Sequence, residues 1–224
     1  MSKGYSSQLD NRLNLCAEFV RDGAKLADIG TDHAYLPVWL CHSGKCVSAI
    51  AADINPDPLK RGMTTIIEAG MSDKVQTRLS DGLKEIKSDE ADDIVIAGMG
   101  GELIAKIIDE CSFKKDSSKH FILQPMTKSE ALIKWLCDNG YEIINQDCCI
   151  ASNKCYTVLL VKYTGENIAR DELFYYLAKL TPTKNPTHLQ FVKGHIKRLL
   201  NQANGDVRFA MLAKQLEEII NDNN

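Results

Sequence analysis

The run LADIGTDHAY, Leu26 to Tyr35, holds the densest chemistry in the chain. It reads as an apolar strand that ends in a tight turn and re-enters as a helix, the geometry that sets a ligand against the carboxyl edge of a sheet. Asp28 lies near the strand end, Gly30 permits close backbone approach, and Asp32, His33 and Tyr35 follow. The spacing is not GxGxxG: Asp32 and His33 stand where a dinucleotide fold wants small residues, so a nicotinamide dinucleotide is disfavoured. Two more acids fall at strand ends. Asp53 of IAADIN, followed by Ile54, is placed to accept hydrogen bonds from ribose hydroxyls, and Asp81 of SDGL, followed by Gly82, from an adenine amino group. Either acid alone could equally be a helix cap or a turn residue. In AGMGGE, the glycines Gly98 and Gly100 flank Met99 and would open a loop to a flat aromatic substrate, or simply begin a helix. Gln124 of LQPM adds a polar group at the same edge.

The elements that must position these residues alternate from Lys25 onward, short β-branched runs with helix-length amphipathic segments, as in βαβ units with a mainly parallel sheet. The expected strands are 25–29, 47–53, 75–79, 92–98 and 120–124, closed at the edge by a hairpin of 141–150 and 154–163 to give seven. Pro56 and Pro58 mark one helix start and Gly70 its stop, while KSEALIKWLCDNG ends on Asn139 and Gly140. A helix from about Ser7 to Val20 precedes them. An acid at strand one, an acid at strand two and acid-Gly after strand three form, in that order, the pattern of Rossmann-like class I methyltransferases, which lay S-adenosyl-L-methionine across the sheet edge.

Past Tyr163 the pattern turns wholly helical, so residues 1–163 read as the cofactor-binding domain and 164–224 as a small C-terminal extension. LTPTKNP is the joint, and NGD at 204–206 reverses a helical hairpin. Net charge is −3, against a surface that coats nucleic acid generally. Yet residues 173–205 contain no Asp or Glu and carry Lys179, Lys184, Lys193, Lys197 and Arg198, with His188 and His195. Lys193, Lys197 and Arg198 are therefore the expected phosphate contacts, the alternative being a solvated helix face. Hydrophobic content of 44% and charged content of 25% are those of a globular protein. No run approaches the ~18 apolar residues of a membrane span, and no secretory leader pattern opens the chain, so a cytoplasmic location is expected. The eight cysteines lack paired CxxC knuckles and read as buried thiols, with no metal expected.

LADIGTDHAYLPVWL, DIVIAGMGGELI, FILQPMTKSEALIKWL and NGYEII followed by CYTVLLV together resemble the bacterial tRNA (adenine-22)-N1-methyltransferase family. The resemblance implies S-adenosyl-L-methionine as donor, 1-methyladenosine in the tRNA D-loop as product and a helical, coiled-coil-like extension. Where many relatives would carry Glu, this chain has Asp53, which keeps the acceptor and shortens its reach. Adenine N1 holds an in-plane lone pair, so its attack on a sulfonium methyl needs no prior deprotonation and leaves the base cationic. Asp32 is the candidate to orient the base and stabilise that charge; holding the donor's ammonium or capping the next helix are the alternatives. A small-molecule methyltransferase and a catalytically silent binding protein are the rival readings, and oligomeric state is left open.

Overall fold

A computed structural model of the chain describes residues 8–167 and 169–221. The order is α1 (Asn11–Phe19), β1 (Ala24–Ile29), α2 (Tyr35–His42), β2 (Cys46–Asp53), α3 (Pro56–Glu68), β3 (Val75–Leu79), β4 (Asp93–Gly100), α4 (Gly101–Asp109), β5 (His120–Thr127), α5 (Ser129–Asp138), β6 (Tyr141–Ala151), β7 (Lys154–Tyr163), α6 (Phe174–Leu177), α7 (Pro186–Gln202) and α8 (Val207–Asn221). The strands form one seven-stranded sheet, ordered β3-β2-β1-β4-β5-β7-β6. The first five run parallel, and β7 pairs antiparallel with both β5 and β6. After β3 the chain returns to the other side of β1, so the sheet switches direction between β1 and β4, where α/β folds open a crevice beyond the strands' carboxyl ends.

The period of two along each strand divides the core. Ala27 and Ile29 of β1, Ile94 and Ile96 of β4, and Phe121 and Leu123 of β5 pack with α4 and α5. Their neighbours Leu26, Val95 and Ile122 pack with α1, α2 and α3 on the other face. Strands apolar on both faces are what a parallel sheet sandwiched between helices requires. The edge hairpin turns through Ser152 and Asn153, both at positive φ, as a tight two-residue turn between right-twisted strands demands.

The first helix begins at Asn11, four residues later than the periodicity suggests, because Asp10 caps it by accepting hydrogen bonds from the amides of Arg12 and Leu13 at 3.0 and 2.9 Å. Ser7 lies outside the described residues. β4 also runs further than expected. Rather than opening a loop, its glycines lie within an irregular strand end: Gly98, at φ +79°, drops out of register between Ala97 and Met99, and pairing resumes at Met99 and Gly100. A glycine bulge of this kind bends a strand as it leaves the sheet.

The C-terminal helices form a third apolar cluster in which Val192, Ile196, Leu199, Leu212 and Leu216 pack on one another and on Cys148 of β6. Polar bonds hold this unit to the sheet. Gln146 accepts from the Lys179 amide at 3.0 Å. His188 accepts from the Thr181 amide through Nδ1 at 3.1 Å, which leaves Nε2 to donate to Asp147 at 2.8 Å. Among the described residues no helix is long and apolar enough to cross a membrane, and no cluster of His, Cys, Asp or Glu is arranged to hold a metal ion.

Candidate active site

The turn after β1 is fastened before any ligand arrives. The amides of Gly30 and Thr31 both donate to the Ala52 carbonyl of β2, at 2.8 and 3.0 Å, and the Thr31 hydroxyl accepts from the Ala34 amide at 3.1 Å. Gly30 sits at φ +79°, and a Cβ there would strike the terminal methyl of Met99, 2.1 Å away. Strand β1 thus delivers Asp28 to the floor of a cleft of about 290 Å³ whose walls include Asp32, His33, Tyr35, Gly98 and Gln124. The Gln124 side chain is fully buried and accepts from the Gly98 amide at 3.1 Å, which pins the bent end of β4 to β5.

Charge in this cleft is unbalanced. Asp28 is 6% exposed and makes no ion pair among the described residues. Burial pushes its carboxyl up to about 6; a hydrogen bond from Thr31 relieves part of this and the nearby Asp53 adds to it. Asp32, mostly exposed, is paired with the Arg61 guanidinium of α3, whose Nε lies 3.2 Å from Oδ1. His33 Nε2 lies 3.4 Å from the other Asp32 oxygen, and the His33 ring stacks on Tyr35 with centroids 5.0 Å apart.

The other expected residues are distributed around this centre. Asp53, at the end of β2, accepts from the Asn55 amide at 2.7 Å, and Ile54 beside it is exposed. Asp81 is exposed and paired with Lys84; the hydrogen bond from Lys84 holds its carboxyl below the usual range. Gly82 is at positive φ, with Ile107 close to where its Cβ would stand. Gly100 ends β4, where an added Cβ would lie 3.4 Å from the Thr127 hydroxyl. None of these, nor Met99, is among the residues lining the Asp28 cleft.

Three contributors were missed. Asp10, the cap of α1, and Arg12 within it also line the cleft, and Arg61 of α3 reaches Asp32 at its wall. Burial works against the ionised Asp10, but hydrogen bonds from the Leu13 amide and Arg12 outweigh it and hold its carboxyl low. With the helix expected to start near Ser7, Asp10 was not read as its cap, and its place near Asp28 in the cleft is a consequence of tertiary packing. In the extension, Lys193 and Lys197 are exposed, whereas Arg198 donates to Glu130 of α5 at 2.8 Å. His195 is buried against Tyr176 and Phe191, and burial, then Arg198, depresses its imidazole to about 3. It is a core residue rather than part of a basic face.

The residues fit a cationic nucleoside. A buried carboxylate without a countercharge on the cleft floor is costly unless a positive ligand faces it, and S-adenosyl-L-methionine carries both a sulfonium and an ammonium. Asp53 ends β2 and Asp81 follows β3, the next two strands along the same edge of the sheet.

A methyltransferase-domain family model matches residues 9–159. A tRNA (adenine(22)-N(1))-methyltransferase of Bacillus subtilis is 37% identical over 164 residues, 73% of this chain and 69% of the relative. Among solved structures, a Streptococcus pneumoniae protein assigned as a tRNA adenine-22 methyltransferase, in complex with S-adenosyl-L-methionine, superposes with a TM-score of 0.86 at 29% identity, covering 95% of this chain and all (100%) of that one. The corresponding B. subtilis enzyme superposes at 0.80 and 28% identity, over 96% and 99% of the two chains. With its acid-lined cleft at the β1 and β4 switch point and these relatives along nearly its whole length, the chain belongs to the tRNA (adenine-22)-N1-methyltransferase family of methyltransferases.

Proposed function

We propose that this protein transfers the methyl group of S-adenosyl-L-methionine to N1 of an adenine in tRNA, in the cleft floored by Asp28, and that it does so in the cytoplasm. The observation that carries the reading is the unbalanced acidity of that cleft: the donor is cationic, and so is the methylated base. S-adenosyl-L-methionine, when bound, supplies an electrophilic methyl on sulfur. Asp28, Gly30, His33 and Gly98 are the residues that would hold it nearest the turn, with Asp53 and Ile54 at the ribose and Asp81 and Gly82 at the adenine.

The protein's own part is orientation and charge. N1 needs no base to expose its lone pair, so alignment and stabilisation of the developing cation account for the work. Asp32 lies at the cleft mouth with Arg61 on one oxygen and His33 near the other. In this reading the carboxylate faces the adenine and spreads its negative charge toward the growing cation, while Arg61 fixes its direction. Tyr35, Met99, Gly100 and Gln124 would bound the base. Because N1 lies on the pairing edge, the adenine must be unpaired or flipped, at a cost of a few kcal/mol that phosphate contacts offset; Lys193, Lys197 and Arg198 are the contacts proposed on the extension.

Labelled donor, transfer RNA and nucleoside analysis test the reading, with 1-methyladenosine as the expected product. Asp32→Asn keeps the shape and removes the charge. Single-turnover rate should fall by about 10²-fold with donor affinity little changed, as for loss of one transition-state electrostatic contact. Equal losses in rate and donor binding would reassign Asp32 to the cofactor.

A further inference from the structure

A second concavity of about 600 Å³ lies between the extension and the sheet, walled by the β5–α5 connection, the tip of the β6–β7 hairpin and one face of α7. Its lining includes Lys128, Lys154, Lys197 and Arg198 and contains no Asp or Glu, on a protein of net charge −3. Lys128 is held by Glu102 and Arg198 by Glu130, but Lys154 and Lys197 make no ion pair among the described residues. Two residues 43 positions apart, one on a hairpin and one on a helix, thus bring free cations to one groove.

The groove shares a wall with the cleft. Gln124 lines the cleft and Pro125 the groove. Arg12, of the cleft, donates to Met126 Sδ at 3.2 Å and lies 5.5 Å from the centroid of the Tyr156 ring, and Met126 and Tyr156 both line the groove. Arg12 thus stands between the two concavities.

Gly194 supplies an independent observation. It stands in the middle of the seventeen-residue helix α7, faces the groove, and a Cβ placed on it would meet nothing within 4 Å. Glycine is the poorest helix former after proline, and neither packing nor a positive φ requires it here. What it does is keep the groove's helical wall flat, beside the partly buried Phe191 ring.

We propose that this groove seats the ribose-phosphate backbone of the single-stranded RNA next to the target adenine, with Lys154 and Lys197 on the phosphates, the bare backbone at Gly194 admitting the sugar, and Phe191 and Met126 offering apolar contact to a neighbouring base. The inference rests on the tRNA reading above and adds where the strand runs and which residues outside the extension hold it. The two cavities divide the substrate by charge: the acidic one faces the cationic donor and product base, the basic one the polyanion.

Two variants test it in the full chain. Gly194→Leu fills the groove while improving helix propensity, so its thermal midpoint should hold or rise while tRNA affinity falls about tenfold or more. Lys154→Glu with Lys197→Glu should weaken tRNA binding at least as much and flatten its log-log salt dependence by about 1.5 in slope, at about 0.7 to 0.9 per lost phosphate. The matched control, Lys74→Glu with Lys115→Glu, makes the same charge change at the amino edge of the sheet and should retain affinity. Calorimetric donor affinity should be unchanged in all. Parental tRNA affinity and salt slope in both groove variants would overturn the groove, as would equal weakening in the control. A parent protein that forms no 1-methyladenosine would instead overturn the underlying reading, and the groove with it.

Discussion

At the scale of single residues, Asp28 is where stability and binding pull against each other. Its folded carboxyl stands at about 6 against 3.8 for the free side chain, so folding favours the protonated form. The sign is the reverse of the usual salt-bridged acid: this group's contribution is most favourable below about 3.8 and is progressively lost as pH rises through about 6. That difference corresponds to at most about 3 kcal/mol of destabilisation at neutral pH. Asp28→Asn should therefore raise the thermal midpoint of the ligand-free protein at pH 7 and leave it little changed at pH 4. The same variant should bind S-adenosyl-L-methionine at least about tenfold more weakly, for want of the charge facing the cation. In the parent, donor affinity should fall as pH drops from 7 to 5, and the variant should be flat over that range. A midpoint lowered by Asp28→Asn at pH 7 would mean the carboxylate is already balanced. The acid itself was legible from LADIG; its uncompensated burial was not, since that depends on which cations the packing fails to bring near. Arg61 was hidden for the same reason: nothing local to α3 marks it as the partner of a residue 29 positions away.

At the scale of elements, five of the seven strands were legible to within one residue because their apolar runs are bounded by glycine, proline and charged turns, whereas β4 and β5 run two and three residues past their expected ends. Met99 and Gly100 were misjudged as loop because a bulge at Gly98 keeps the strand in the sheet after its regular pairing stops. The seating of the extension could not be read at all. It depends on β6, whose Gln146 and Asp147 meet Lys179 and His188 from 33 and 41 positions away. The His188 ring is buried, so the loss of its acceptor leaves a donor without water. Asp147→Ala should cost about 1 to 3 kcal/mol. Local hydrogen exchange should show the loss concentrated in 179–202, with β1 and β4 protected as before and donor affinity intact. Uniform loss of protection would mean that extension and sheet unfold as one unit.

At the scale of the whole molecule, the sheet-facing clusters draw their buried residues from Leu9 to Val161, and the third cluster takes only Cys148 as a buried member from before Tyr163. The contributions in the other direction are peripheral, Phe174, Tyr175 and Ala178 packing partly buried against the α5 side. A chain ending at Gly165 keeps the hydrogen bonds from Thr164 and Gly165 to the Gly140 carbonyl that close the hairpin's base. It also keeps every residue proposed to hold the donor, while it removes α7 and with it one wall of the basic groove. Such a chain should be less stable than the parent yet bind S-adenosyl-L-methionine within about threefold, under 1 kcal/mol. Its tRNA affinity should fall by about 30-fold or more, with a shallower salt dependence, since Lys193, Lys197 and Arg198 leave together. Calorimetry and a salt-titrated binding assay on the shortened chain separate the outcomes. Lost donor binding would show that the boundary proposed at Tyr163 divides a single cooperative unit. Retained tRNA affinity would move recognition onto the sheet domain's own surface, around Lys128, Lys154 and the mouth of the acidic cleft.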